Sequence, residues 1–215
     1  MQKNVVLITI VSLAAIFGFL FLVYALSNQS AEKPAQVYQE AAKVQTGDHI
    51  KWSPAKKTVL VEYADFQCPG CRSFHPILKQ FEKDPEIGKK VTLAFRHFPL
   101  SMHKNAVPAA RAAEAAGSQG KFWEMADLLF EGQESWADLG NPTDYFVKLA
   151  QQLKLDTEKF KTDLNSKEIQ AKIDADIASG FRVQVNSTPT FFLQGKKLEV
   201  NTFDEFKKLL QDASR

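Results

Sequence analysis

Asp65-Phe66-Gln67-Cys68-Pro69-Gly70-Cys71 holds the only two cysteines of a 215-residue chain. They lie where an apolar run, Val59-Leu60-Val61-Glu62-Tyr63-Ala64, meets a helical pattern that leads from Cys68 into Phe81. A C-x-x-C pair at a strand-to-helix turn forms a reversible disulfide more readily than a structural one. The first thiol sits at a helix N-terminus, where unpaired backbone N–H groups and the helix dipole favour negative charge. Cys68 is therefore read as a thiolate nucleophile. Cys71 lies one turn further on, within reach to close or attack a disulfide. Pro69 suits the first helical turn, because its missing N–H would be unpaired there anyway.

The run before the pair is rich in β-formers and reads as a buried strand. Glu62 is its odd residue, since a buried acid is costly unless paired or protonated. Two readings stand: Glu62 meets an edge or a lysine, or it lies behind the dithiol and relays the proton of Cys71. Asp65 reads as a turn or cap residue rather than a catalytic acid. After Cys71, Phe74, Ile77, Leu78 and Phe81 recur at helical spacing, with Pro76 expected to kink the helix and Asp84-Pro85 to close it. His75 reads as a partly exposed helix residue. Val91 to Phe98 is a second strand, ended by Pro99.

From Asn105 to about Gln184 the pattern is helical. Asn105, Asn141-Pro142, Asp156 and Ser166 are read as helix starts, and Gly117 as a stop. Phe122, Met125, Leu129, Phe146, Ile173 and Phe181 are among the positions assigned to the core. Trp123 and Trp136 are core or, alternatively, groove-lining. Strand signals return at Thr190-Phe191-Phe192-Leu193. Gln194-Gly195-Lys196 is a turn from which Lys197 to Val200 pairs back. Thr202 and Glu205 form a capping box for a last helix carrying Phe206, Leu209 and Leu210.

At the other end, Val5 to Leu26 is a nearly unbroken apolar run of 22 residues. That length spans a bilayer as a helix. A cleaved signal has a shorter core of about 7–15 residues, so a signal-anchor is expected, with secretion after cleavage at Ala25-Leu26-Ser27 as the alternative. Lys3 before the run gives a weak bias to a cytoplasmic N-terminus, which leaves the rest of the chain extracytoplasmic. Residues 27–45 read as a tether with a short helix at Val37 to Val44, and His49-Ile50-Lys51-Trp52 as an edge strand entering a domain over 46–215. His49 reads as a surface residue.

Composition narrows the function classes. Apolar and charged fractions are those of a globular protein, and a net charge of +2 gives no reason to expect a nucleic-acid partner. Two cysteines cannot build a disulfide framework, and a structural zinc site wants four ligands. His97 and His103 lack the close, paired spacing that would make them ligands alongside the cysteines. No metal and no cofactor are expected. A metal clip or a static bridge in a binding module stands as the remote alternative to redox chemistry.

The order strand, C-x-x-C, helix, strand, helical block, Thr-Pro, hairpin, helix resembles an α/β thioredoxin fold with a helical insertion at about 105–184. From about Thr46 onward the chain is similar to the DsbA-like thiol–disulfide oxidoreductases, in their membrane-anchored or exported bacterial branch. The resemblance rests on Val-Glu-Tyr-Ala-Asp-Phe-Gln-Cys-Pro-Gly-Cys (61–71), Phe-Arg-His-Phe-Pro-Leu (95–100), Gly-Lys-Phe-Trp (120–123) and Ser-Thr-Pro-Thr-Phe-Phe (187–192). It implies Cys68 as the exposed nucleophile, Cys71 as its buried partner and Glu62 as the proton relay. It also implies that Thr188-Pro189 is a cis-proline loop set against the dithiol. There the backbone of Thr188, with Pro69 and Gly70 nearby, meets an extended substrate chain. The implied partners are exported proteins carrying thiols or disulfides and a membrane redox partner. Between the cysteines stands Pro-Gly, neither the Pro-His of strongly oxidising members nor the Gly-Pro of thioredoxin. Gly70 lacks the charge a histidine would bring to the thiolate. A dithiol oxidase is expected, with a reductase or isomerase as the alternative.

Overall fold

Thr58–Ala64 is buried along its whole length, and the sheet is built outward from it. The computed structural model describes residues 15–24 and 36–215. The chain divides into two units, 1–35 and 36–215. In the second, β1 (His49–Trp52), β2 (Thr58–Ala64), β3 (Val91–His97), β4 (Thr190–Leu193) and β5 (Lys196–Lys197) form one sheet of order β1-β3-β2-β4-β5. β2 and β3 are parallel and the other pairs antiparallel. A central strand covered on both faces needs apolar residues at successive positions, as β2 has.

Alternation along β2 divides two cores. Val59, Val61 and Tyr63 pack with Phe98, Val183, Val185 and Phe192, under α7 (Lys167–Arg182). Leu60 faces the other way, onto Leu78, Phe81, Phe206 and Leu210 of α1 (Pro69–Lys83) and α8 (Phe203–Ala213). Glu62 and Ala64 share the face of Leu60. Between β3 and β4 the chain forms α2 (Ala106–Gly117), α3 (Phe122–Glu131), α4 (Gln133–Trp136), α5 (Thr143–Gln152), α6 (Thr157–Asp163) and then α7. The insertion has its own core, in which Phe66, Cys71 and Phe95 meet Phe122, Met125, Leu129, Trp136 and Phe146. Trp136 is fully buried, so of its two readings the core one holds.

Several local expectations hold for the stated reason. Asp156 accepts from Glu158 N and Lys159 N, Ser166 from Ile169 N, and Thr202 from Glu205 N. Each supplies an acceptor to N–H groups that a helix start leaves unpaired. α1 runs unbroken through Pro76.

Others are corrected. Val37 to Val44 is not a helix; only a 3₁₀ turn forms at Gln39–Ala41. Tyr38 N instead bonds Gly195 O at 2.8 Å, and Val37 bridges Lys196, which covers the sheet edge. Asn105 stands at the helix start without capping it. Its amide turns to the carbonyls of Trp136, Ala137 and Leu139. The return strand is Lys196–Lys197 rather than Lys197 to Val200, because Gln194 and Gly195 take φ of 51° and 79° in a tight two-residue turn. His49 is not free at the surface: it stacks on Phe122 with ring centroids 3.5 Å apart, and its Nε2 lies 2.9 Å from Glu114 Oε1. His75 keeps its reading as a partly exposed helix residue, with its ring 3.0 Å from Asp127. Phe181 is 67% exposed rather than core. α7 crosses β2 at Gly180, where any Cβ would stand 2.5 Å from the Phe98 ring, and the Phe181 ring meets the edge of that same ring from outside, with centroids 5.3 Å apart.

The stretch Val5 to Leu26 lies mostly outside the described residues. Its portion 15–24 is helical with Phe17, Phe19 and Phe21 exposed. Among the described residues no helix is long and apolar enough to cross a membrane.

Candidate active site

β2 delivers the chain to the turn at Asp65, and α1 carries it away. Cys68 is the N-cap of α1, in an extended conformation (φ −74°, ψ 124°), with Pro69 following at the first helical position. The turn is held from below by Asp65, whose carboxylate is buried. Oδ1 accepts from Gln67 N at 2.7 Å, and Oδ2 from Leu100 N at 2.9 Å. His103 Nδ1 lies 2.6 Å from the same Oδ2. Asp65 is thus a turn residue, as expected, and His103 is its partner.

Both cysteine sulfurs are free. Cys68 retains 7% exposure and Cys71 none, so the residue read as an exposed nucleophile is nearly covered, yet it alone of the pair is reachable. Cys68 Sγ donates to the carbonyl of Thr188 at 3.2 Å. The Thr188–Pro189 bond is cis. A Cβ at Gly70 would stand 3.2 Å from Pro189 Cδ and 3.5 Å from Cys68 Sγ, so Gly70, Cys68 and the Thr188-Pro189 loop form one contiguous surface. Pro69 sits in the same helical turn, its carbonyl accepting from Ser73 Oγ at 3.0 Å.

The two thiols are pushed apart in acidity. The Cys68 thiol falls to about 5, chiefly through the hydrogen bond from Cys71, against the cost of burial and with help from the backbone N–H groups of Cys71 and Gly70. Burial pushes the Cys71 thiol well up, and the hydrogen bond to Cys68 and the charge of Glu62 add to it. The Asp65 N–H points to Cys71 Sγ at 3.4 Å.

Glu62 stands on the central strand, opposite Phe95 on β3 and Phe191 on β4, and its charge is one of the influences on the Cys71 thiol. It is not at a sheet edge, and among the described residues no lysine forms an ion pair with it. Burial among these rings pushes its carboxyl up to about 8, so it is mostly protonated at neutral pH. A cavity lined by Glu62, His75, Lys79, Trp123 and Phe130 opens beside it. The folded chain binds a proton at Glu62 that the unfolded chain releases. Stability is therefore full below about pH 4.5 and is lost progressively through about pH 8. In the oxidised protein, where neither thiol titrates, we expect Glu62→Gln to abolish this slope and to be more stable at pH 8.5 by a few kcal/mol. Denaturant midpoints from pH 4.5 to 8.5 check it; parallel curves for the two proteins would contradict it.

His97 is fully buried against Glu114, at 2.7 Å, and its ring does not approach the cysteines as a ligand. The carboxyl of Glu114, between His49 and His97, is held well below the usual range despite its burial. Among the described residues no group of three or more His, Cys, Asp or Glu side chains converges as a metal site.

A family model described as thioredoxin matches residues 45–212. The chain belongs to the thioredoxin family. Its fold is also that of solved DsbA-type proteins. BdbD from Bacillus subtilis, in oxidised form, superposes with a TM-score of 0.71 at 22% identity over 84% of this chain and 98% of that one. α-DsbA1 from Wolbachia pipientis gives 0.69 at 20% identity over 82% and 96%. The Na(+)/H(+) antiporter NhaA 3 of Salinispora tropica is 36% identical over 151 residues, covering 70% of this thioredoxin-family chain and 22% of the antiporter. NhaA 1 of Mycolicibacterium gilvum is 34% identical over 155 residues, 24% of its length. The chain thus spans only 22 to 24% of these curated relatives.

Sequence reading missed the amides around the pair. Gln67 Nε2 donates to Ala137 O, Gln67 Oε1 accepts from Asn105 N, and Gln133 Nε2 donates to the carbonyls of Phe66 and Cys68. Gln133 is 4% exposed, and its setting in the polar stretch Glu131-Gly132-Gln133-Glu134-Ser135 gave the sequence no signal of that burial.

Proposed function

We propose that the chain is a dithiol oxidase that forms disulfides in exported proteins through the Cys68–Cys71 pair. The observation that carries this reading is the placement of Cys68 as the N-cap of α1, beside buried Cys71 and the Thr188 carbonyl, an arrangement that lowers its thiol to about 5. A thiolate stabilised at neutral pH stabilises the reduced enzyme, which makes its disulfide the more oxidising.

The exchange balances as follows. A substrate thiolate attacks Cys68 Sγ of the disulfide. The Cys68–Cys71 bond breaks, a substrate–Cys68 bond forms, and Cys71 leaves with the electron pair. Glu62, protonated, lies behind Cys71 to supply its proton. A second substrate thiolate then attacks the substrate sulfur of the mixed disulfide, and Cys68 leaves as a thiolate. The substrate dithiol loses two electrons and the enzyme gains them. Thr188 offers the backbone against which an extended substrate chain is laid, with Pro189, Pro69 and Gly70 bordering it. A membrane redox partner that accepts the two electrons completes the cycle. The apolar run Val5 to Leu26 is proposed to hold the catalytic domain at the outer face of the cell membrane.

The reverse direction, reduction of disulfides, has one feature in its favour: Gly70 brings no positive charge to the thiolate. The reduction potential of the full chain in glutathione buffers separates the two. We expect a value less negative than about −200 mV, toward the DsbA end of the scale. A value near about −270 mV, that of thioredoxin, would make the protein a reductase.

A further inference from the structure

The helical insertion reaches the redox turn through an enclosed amide. Gln133 opens α4, and its Nε2 donates to the carbonyl of Phe66 at 2.7 Å and to that of Cys68 at 3.1 Å. The Cys68 carbonyl is that of the helix N-cap and also accepts Arg72 N at 3.1 Å. The two carbonyls bracket Cys68 in the chain, and the peptides just beyond them carry the Gly70 and Cys71 N–H groups that face its sulfur. The surroundings of Gln133 are themselves fixed. Asn105 ties the segment after α4 to the start of α2, and Gln67 bonds both. The charged groups facing this turn are paired: Asp65 with His103, and Arg72 with Glu134. The charge of Glu62 bears on the Cys71 thiol.

We infer that Gln133 is a positioning residue for thiol exchange: it grips the Phe66 and Cys68 carbonyls, holds the turn in which the Gly70 and Cys71 amides face Cys68 Sγ, and so sets how much of Cys68 is thiolate. The inference rests on the oxidoreductase reading of the pair. Its physical basis is orientation. Hydrogen bonds to sulfur weaken steeply with misalignment, and two bonds from one planar amide fix the rotation of the peptides they hold. The insertion is then part of the redox device as well as its cover.

The test compares full-length wild type, Gln133→Met and Gln133→Ala, all reduced, by thiolate absorbance against pH and by the alkylation rate of Cys68 at pH 5. The expected result is a rise of about one unit in the Cys68 midpoint, which lowers the alkylation rate at pH 5 about fivefold, with cooperative thermal unfolding retained. A folded variant with the wild-type midpoint and alkylation rate overturns the inference. The wild type supplies a second readout, independent of whether either variant folds. The Gln133 side-chain amide resonances should titrate with the Cys68 midpoint, and resonances indifferent to it also overturn the inference. Failure of the oxidoreductase reading looks different: the wild type would then not exchange disulfides with a dithiol peptide, whatever the titration of Gln133 shows.

Discussion

Cys68→Ser is expected to abolish oxidation of a dithiol peptide, while Cys71→Ala accumulates covalent adducts with a one-cysteine peptide supplied as its mixed disulfide with a small thiol. The two outcomes differ because the two sulfurs differ. Cys68 alone keeps a surface, 7% of it, and alone is lowered to about 5. A serine hydroxyl at that place is neither a nucleophile at neutral pH nor a leaving group for exchange. In Cys71→Ala, the Cys68 thiolate attacks the peptide sulfur of that disulfide, the small thiol leaves with the electron pair, and no internal thiol then releases the peptide. The same variant loses the Cys71 hydrogen bond that is the largest cause of the lowered Cys68 thiol, so the alkylation midpoint should also move upward from about pH 5. Non-reducing gels with and without dithiothreitol, beside alkylation rates across pH 4 to 8, read both effects. Full turnover by Cys68→Ser would sink the assignment of Cys68 as nucleophile. Absence of reducible adducts in Cys71→Ala would sink that of Cys71.

Arg96→Met should lower the stability of the chain by about 3–5 kcal/mol, the cost of leaving a buried charge without its partner. Arg96 is fully buried, and each of its five N–H groups has an acceptor. Nε and Nη2 form a fork on Asp48, at 2.9 Å each. Nη1 donates to Glu40 O and to the Tyr63 hydroxyl, and Nη2 to Lys43 O, at 3.0 Å each. One guanidinium thus joins residues 40–48 to β2 and β3. Methionine fills a similar volume but takes away the cation and all five donors, leaving the Asp48 carboxylate with Gln45 N, the Glu40 carbonyl with Gln45 Nε2 and the Tyr63 hydroxyl with Ser179 Oγ. Lysine keeps the charge and cannot reproduce the fork, so Arg96→Lys should also lose stability. Urea midpoints at pH 7 measure it. If Arg96→Met unfolds within about 1 kcal/mol of wild type, the guanidinium is not the clamp described here.

Both predictions bear on how far the redox site could be read without the fold. The C-x-x-C pair, the proline after Cys68 and the β-rich run before it are local signals, and their consequences are local: a helix N-terminus, a strand and a turn. They were legible because backbone hydrogen-bonding rules act over a few residues. The caps Asp156, Ser166 and Thr202 were legible for the same reason. The Asn105 cap failed because three carbonyls more than thirty residues away outbid the helix N–H groups for its amide. Phe181 fits the apolar stripe of its helix, yet it stands at the surface, in contact there with the Phe98 ring. His49 read as a surface residue because its carboxylate partner, Glu114, lies 65 positions away along the chain.

By itself the sequence determined where the reactive pair stands, which thiol begins the helix, and that the chain alternates strands and helices around it. Those properties follow from residue spacing and backbone geometry. Only the tertiary structure decided the environments. It set Glu62 between Phe95 and Phe191, laid the Thr188-Pro189 loop against Cys68, closed Gln133 onto the redox turn and enclosed Arg96. The physical reason is that acidity and ion pairing depend on distance and dielectric in three dimensions. The groups that set them here come from β3, β4 and the helical insertion, far from Cys68 along the chain.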